Sequence, residues 1–177
     1  MFKTLHTLWT ALGKTSGPGY RAVSRSSPRR LVMSEASAAA MLDCMAPEIA
    51  MGCEGIAYLL GQTDGATTLV VGTIRPESRT TPGSFSVSSV AMARIVRRAN
   101  DLGLQVVGQV HSHPGQACHS AGDDEGARIS YDGYVSIVVP DYGRRLPSLA
   151  GAAVYFYRQG AFSKLAVEAV KEIPARL

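Results

Sequence analysis

The chain has 177 residues, 46% of them hydrophobic and 18% charged, enough apolar material for one folded domain and too much for global disorder. No run approaches the roughly 18 to 20 uninterrupted apolar residues of a membrane span, so a membrane is not an expected partner. The net charge of +4 is uneven: residues 1–34 hold six basic groups and no acidic one, and the other 143 hold twelve basic and fourteen acidic. A nucleic-acid-binding domain concentrates its cations on the folded body, so nucleic acid is not expected either.

Residues 1–30 read as a basic leader and residues 31–177 as a single domain. In the leader, Phe2, Leu5, Leu8, Trp9 and Leu12 fall at helical spacing, and Gly17-Pro18-Gly19 ends that pattern. An Arg- and Ser-rich leader without acids also resembles an organellar transit peptide. Cys44, Cys53 and Cys118 form no disulfide framework, which suits a reducing compartment, and a cytoplasmic location is expected.

Ser34 is placed to cap a helix over 35–46, with Pro47 as its stop. Residues 56–60 form an apolar strand closed by Gly61, and Asp64-Gly65 turns into a second strand over 67–74. Residues 75–85 read as a polar loop. Ser86 is placed to cap the next helix, whose apolar face is Val87, Val90, Ala91 and Ile95, and Gly103 stops it. The strand 104–110 runs straight into His111. Later strands are expected over 134–139, 152–157 and 162–167. The fold class is therefore α/β (α+β), without repeats.

The chemistry sits at His111-Ser112-His113-Pro114 and Ser120-Ala121-Gly122-Asp123-Asp124. Histidines at i and i+2 of a strand end point to one side, so both rings reach one ion. A carboxylate ten residues on adds a third ligand. Two histidines and a carboxylate suit catalytic zinc, with the fourth position left for water.

HSHP with SxxD behind it resembles the JAMM motif of the MPN+ (JAB domain) zinc metalloproteases, which include deubiquitinases and bacterial relatives. That family also carries a glutamate seven residues ahead of the glycine that ends an apolar strand; Glu54 precedes Gly61 by seven. The resemblance covers about residues 30–170, and the element order β/α/β/β/α/β ahead of the histidines agrees with it. It implies the MPN/JAB, cytidine-deaminase-like fold: a curved mixed sheet flanked by helices.

The resemblance also implies roles. His111, His113 and Asp123 hold Zn2+, Glu54 is the general base, and Ser120 donates to the developing oxyanion. The substrate is a ubiquitin-like protein or its conjugate, cleaved after the C-terminal glycine, with E1/E2-like conjugation proteins as further partners and an antiviral system as one setting. Its tail would lie beside the polar loop 75–85. The family pattern has seven residues between the second histidine and the serine, and here there are six. Asp123 keeps the SxxD step, whereas Asp124 keeps the usual distance from His113 and is the second choice. Cys118 and His119 are read as loop residues, since a fourth protein ligand would close the site. The competing reading is a non-catalytic MPN scaffold that binds a partner; a DNA-linked role is disfavoured by the near-neutral body.

Overall fold

The computed structural model describes residues 29–120, 123, 129, 131–166 and 170–173, the last four by backbone alone. The leader helix expected near residue 1 and the alternative ligand Asp124 lie outside the described residues.

Strand β1 (Arg30–Ser34) leads into helix α1 (Glu35–Met51). Ser34 caps it as expected, accepting the Ser37 N–H at 3.1 Å. Pro47 does not stop it. The proline forfeits one intrahelical bond, but the helix on either side of it is pinned by tertiary contacts: Met45 is fully buried, and buried Glu48 pairs with Arg75 at 2.5 Å. The helix ends instead at Gly52, in the left-handed region at φ 64°.

Strands β2 (Ile56–Thr63) and β3 (Thr67–Ile74) follow, joined at Asp64, whose Oδ1 accepts the N–H groups of Ala66 and Thr67 at 2.9 and 2.7 Å. Gly61 lies within β2 rather than closing it. A Cβ there would meet the Leu69 carbonyl oxygen at 1.8 Å, so the register shift beside it needs a residue without a side chain. The expected polar loop contains a hairpin, β4 (Ser78–Thr81) and β5 (Ser84–Val87). Its turn is closed by Thr81, whose Oγ1 accepts the Gly83 N–H at 3.3 Å. The hairpin absorbs Ser86 and Val87, so the cap of helix α2 (Ser89–Asp101) moves to Ser88, which accepts the Ala91 N–H at 3.1 Å.

After α2 come β6 (Gln105–Ser112), β7 (Val135–Val139), a short 3-10 turn (Asp141–Gly143), β8 (Ala153–Arg158), β9 (Ala161–Lys164) and β10 (Val170–Ile173). The strands form one mixed sheet in the order β10-β1-β3-β2-β6-β7-β8-β9, with the β4–β5 hairpin apart. Its two faces carry separate cores. Leu59, Val70, Ile137 and Phe156 pack with Met41 and Met45 of α1. Ile56, Tyr58, Leu60 and Tyr134 pack with Ala91, Met92 and Ile95 of α2. Burial on both faces explains why β2 reads as an unbroken apolar run. No helix among the described residues is long and apolar enough to cross a membrane.

Candidate metal centre

His111 lies at the end of β6, opposite Ile56 of β2 and Val138 of β7, on the α2 side of the sheet, and is fully buried. Strand alternation puts His113 on the same side, with ring centroids 5.1 Å apart. The His113 backbone is held from both directions: its N–H donates to Val139 O at 3.0 Å, and its carbonyl accepts the Tyr142 N–H at 2.8 Å. Tyr142 and the preceding Asp141 both have positive φ, the unfavoured region for residues other than glycine. That strain is concentrated beside the histidines.

Asp123 brings the third group. Its Oδ1 lies 3.2 Å from His111 Nε2, and its Oδ2 lies 3.4 Å from His113 Nε2. Donor atoms of the three residues lie within 4.8 Å of one another and could hold one metal ion. Two ligand atoms at zinc distances and tetrahedral angles stand about 3.3 Å apart, so the spacing fits. The chemistry of the donors agrees: among the described residues, neither ring nitrogen of buried His111 has a hydrogen bond. An unsatisfied polar group in such a place calls for a partner.

Electrostatics sharpen the picture. Burial pushes the His111 pKa down, which keeps the ring neutral and able to ligate. The Asp123 carboxylate pulls the His113 pKa up against the effect of its own burial. Burial opposes the charge on Asp123, but the facing His111 and His113 and the Ser120 N–H outweigh it and hold this carboxyl far below its ordinary range.

Glu54 is buried and stands two residues before the start of β2. Burial raises its pKa; His113 opposes that rise and the Asp123 charge adds to it, so the carboxylate is electrostatically coupled to the metal group. Its backbone N–H donates to Thr81 O at 2.8 Å, which ties the hairpin to the site. Phe85 of the hairpin stands 5.3 Å from His111, ring to ring, and the Tyr142 hydroxyl donates to Pro82 O at 3.0 Å.

Ser120 has a definite partner. Its hydroxyl donates to Asp123 Oδ2 at 2.8 Å and its N–H to the same oxygen at 2.7 Å, while its Oγ accepts the Asp123 N–H at 3.2 Å. The hydroxyl expected to face an oxyanion is here engaged with the carboxylate. Sequence reasoning assigned nothing to Ser112, yet this fully buried hydroxyl bonds Gly55 beside Glu54. The signal was available: a residue between two histidines that share a strand face must point into the opposite core, where a hydroxyl needs a partner.

A mixed-sheet domain with two α-helices among the described residues beside the sheet, and a largely buried His-His-Asp group at the end of a central strand, is thus the class that fold and site define. Comparison with known proteins narrows it. Residues 39–148, more than half of the chain, match the family of prokaryotic homologs of the JAB domain, and the chain belongs to that family. It is 33% identical over 108 residues to a Sinorhizobium fredii protein described as "Probable metalloprotease y4jG", a match covering 59% of this chain and 67% of that one. Its fold is shared with the solution structure of protein DSY2949 from Desulfitobacterium hafniense, at TM-score 0.62 and 17% identity, over 81% of this chain and 93% of that one.

Proposed function

We propose that the chain is a zinc-dependent protease of the isopeptidase type, which cuts after the C-terminal glycine of a ubiquitin-like protein, in a conjugate or in a precursor. The observation that carries this reading is the convergence of His111 and His113 on Asp123 with the desolvated Glu54 carboxylate coupled to them. Two histidines and one carboxylate are the donor set of catalytic zinc. Bound there, zinc would supply Lewis acidity that brings the pKa of water down to about 7. His111 and His113, as neutral rings, and the Asp123 carboxylate would hold the ion. Glu54 takes a proton from the attacking water on its carboxylate and returns it to the leaving amine nitrogen. The C–N bond breaks, a C–O bond forms, and one water is consumed. A raised carboxyl pKa suits a group that must both accept and release that proton near neutrality.

The relationship to a protein described as a metalloprotease supports the hydrolytic half of this reading. The β4–β5 hairpin supports the substrate half. It is a two-stranded sheet without a further strand partner among the described residues, and its residues Thr81 and Phe85 touch Glu54 and His111. An extended glycine-ended tail can add to such an edge through main-chain bonds alone.

The test is paired. Purified protein is assayed for zinc, and for cleavage of the ubiquitin-like protein encoded nearest its gene, extended past its terminal glycine. The native protein is expected to hold about one zinc per chain and to cut. Glu54→Gln is expected to hold zinc and cut about 10² to 10⁴ more slowly. Equal cutting by both zinc-loaded proteins overturns the mechanism; zinc without cutting in either returns the chain to the scaffold reading.

A further inference from the structure

Between His113 and Ser120 the chain has six residues to cross from the histidine strand to the carboxylate, and something must fix where it lands. His119 lies immediately before the Ser120–Asp123 pair. Its backbone N–H donates to the Tyr155 hydroxyl at 3.0 Å, and its Nε2 lies 3.1 Å from the Ser136 hydroxyl. The ring packs between Tyr155 and Phe162, with centroids at 4.6 and 4.8 Å.

The sheet beneath is built to receive it. Gln109 of β6, Ser136 of β7 and Tyr155 of β8 are register partners, so they form one row across three strands on the α2 side. That row adjoins the row of His111, Val138 and Ala153. Gln109 and Ser136 are polar side chains buried within the sheet, and buried polar groups of this kind need partners. Gln109 Nε2 lies 3.5 Å from Ser136 Oγ, and the Tyr134 hydroxyl lies 3.5 Å from Gln109 Oε1. His119 completes the row from above. Its ring centroid stays 6.1 Å from that of His111, and its Nε2 is engaged with Ser136.

The geometry points to His119 as a positioning residue: it bolts the loop to the Gln109–Ser136–Tyr155 row and thereby sets the place of Ser120 and of the Asp123 carboxylate at the metal. This rests on the proposed zinc site. Groups that orient a metal ligand typically govern metal affinity by 10- to 100-fold, and His119 acts through backbone placement of a whole ligand loop.

The experiment compares native protein with His119→Ala, His119→Gln and Ser136→Ala, reading zinc affinity by chelator competition and the visible spectrum of the cobalt(II)-loaded proteins. Thermal unfolding of the metal-free proteins reports general damage. His119→Ala is expected to weaken zinc by about 10-fold or more and to change the cobalt bands. Ser136→Ala is expected to do so to a lesser degree, with the metal-free midpoints little altered. His119→Gln keeps a donor for Ser136 and is expected to recover part of the affinity. Zinc affinity and cobalt bands unchanged in His119→Ala overturn the proposal, and so does a loss that merely tracks a fall in metal-free stability. If the native protein itself binds no zinc, the zinc site has failed rather than the role of His119.

Discussion

Ser112 and Gly55 bond each other twice: the Gly55 N–H donates to Ser112 Oγ at 2.9 Å, and the Ser112 N–H donates to Gly55 O at 3.0 Å. Gly55 follows Glu54, and Ser112 separates the two histidines. The pair of bonds therefore fixes the buried carboxylate against the metal group at a joint where neither partner is itself a ligand.

Ser112→Ala tests that joint. It strands the buried Gly55 N–H, which costs about 1 to 3 kcal/mol, measurable as a lower urea midpoint with an unchanged slope. Metal content is expected to persist, since the second bond still sets the strand register, and kcat is expected to fall because Glu54 loses its fixed reach.

The joint was not read from the sequence, although the two motifs it links were. The two histidines marked the site because alternate residues of a strand share a face, whereas the SxxD and Glu54–Gly61 steps pointed to Ser120, Asp123 and Glu54 through the family they resemble. The strand over 67–74 was equally plain, being short, β-branched and preceded by Asp-Gly. What local pattern could not supply was tertiary override. Pro47 stays inside α1 because Glu48 and Met45 are held by Arg75 and the core. The hairpin that starts inside residues 75–85 and runs on to Val87 has no apolar alternation to announce it, and its formation displaced the helix cap from Ser86 to Ser88.

Gly61 and Gly72 lie in neighbouring strands, opposite Val70 and Leu60 respectively, and separate close approach from simple flexibility. A Cβ at Gly61 would overlap the Leu69 backbone, whereas one at Gly72 meets nothing within 4 Å. Gly61→Ala is expected to destabilise by about 3 kcal/mol or more through forced backbone movement. Gly72→Ala is expected to be neutral or to stabilise by a few tenths up to about 1 kcal/mol, by restricting the unfolded chain. Chemical unfolding of the two variants side by side checks the contrast.

Asp64 provides a pH test away from the site. The Thr67 and Ala66 N–H groups hold its pKa below the ordinary carboxylate value. A depressed folded pKa means stability that is fully present above the unfolded pKa of about 3.9 and is lost as pH falls through the folded value. Asp64→Asn keeps an acceptor but not the charge. Its unfolding midpoint is expected to lie below that of the native protein at pH 6, with the gap closing as pH falls toward 2. A gap that stays constant with pH would show that the charge contributes nothing.

Ser120 decides between orienting a ligand and stabilising an oxyanion. Its hydroxyl and N–H both donate to Asp123 Oδ2, which leaves Oδ1 turned toward His111. In Ser120→Ala the N–H bond at 2.7 Å survives, and the Asp123 N–H keeps the Ser120 carbonyl at 3.1 Å. The carboxylate should then loosen without leaving. Zinc affinity is expected to fall about 10-fold, the low end for loss of a group that orients a ligand. A residue that acted only on the oxyanion would leave affinity untouched and lower kcat by about 10² to 10³. Chelator competition and steady-state kinetics on the same preparations separate the two. Unchanged zinc affinity with kcat lowered in that range would assign the Ser120 hydroxyl to the reacting carbonyl rather than to Asp123.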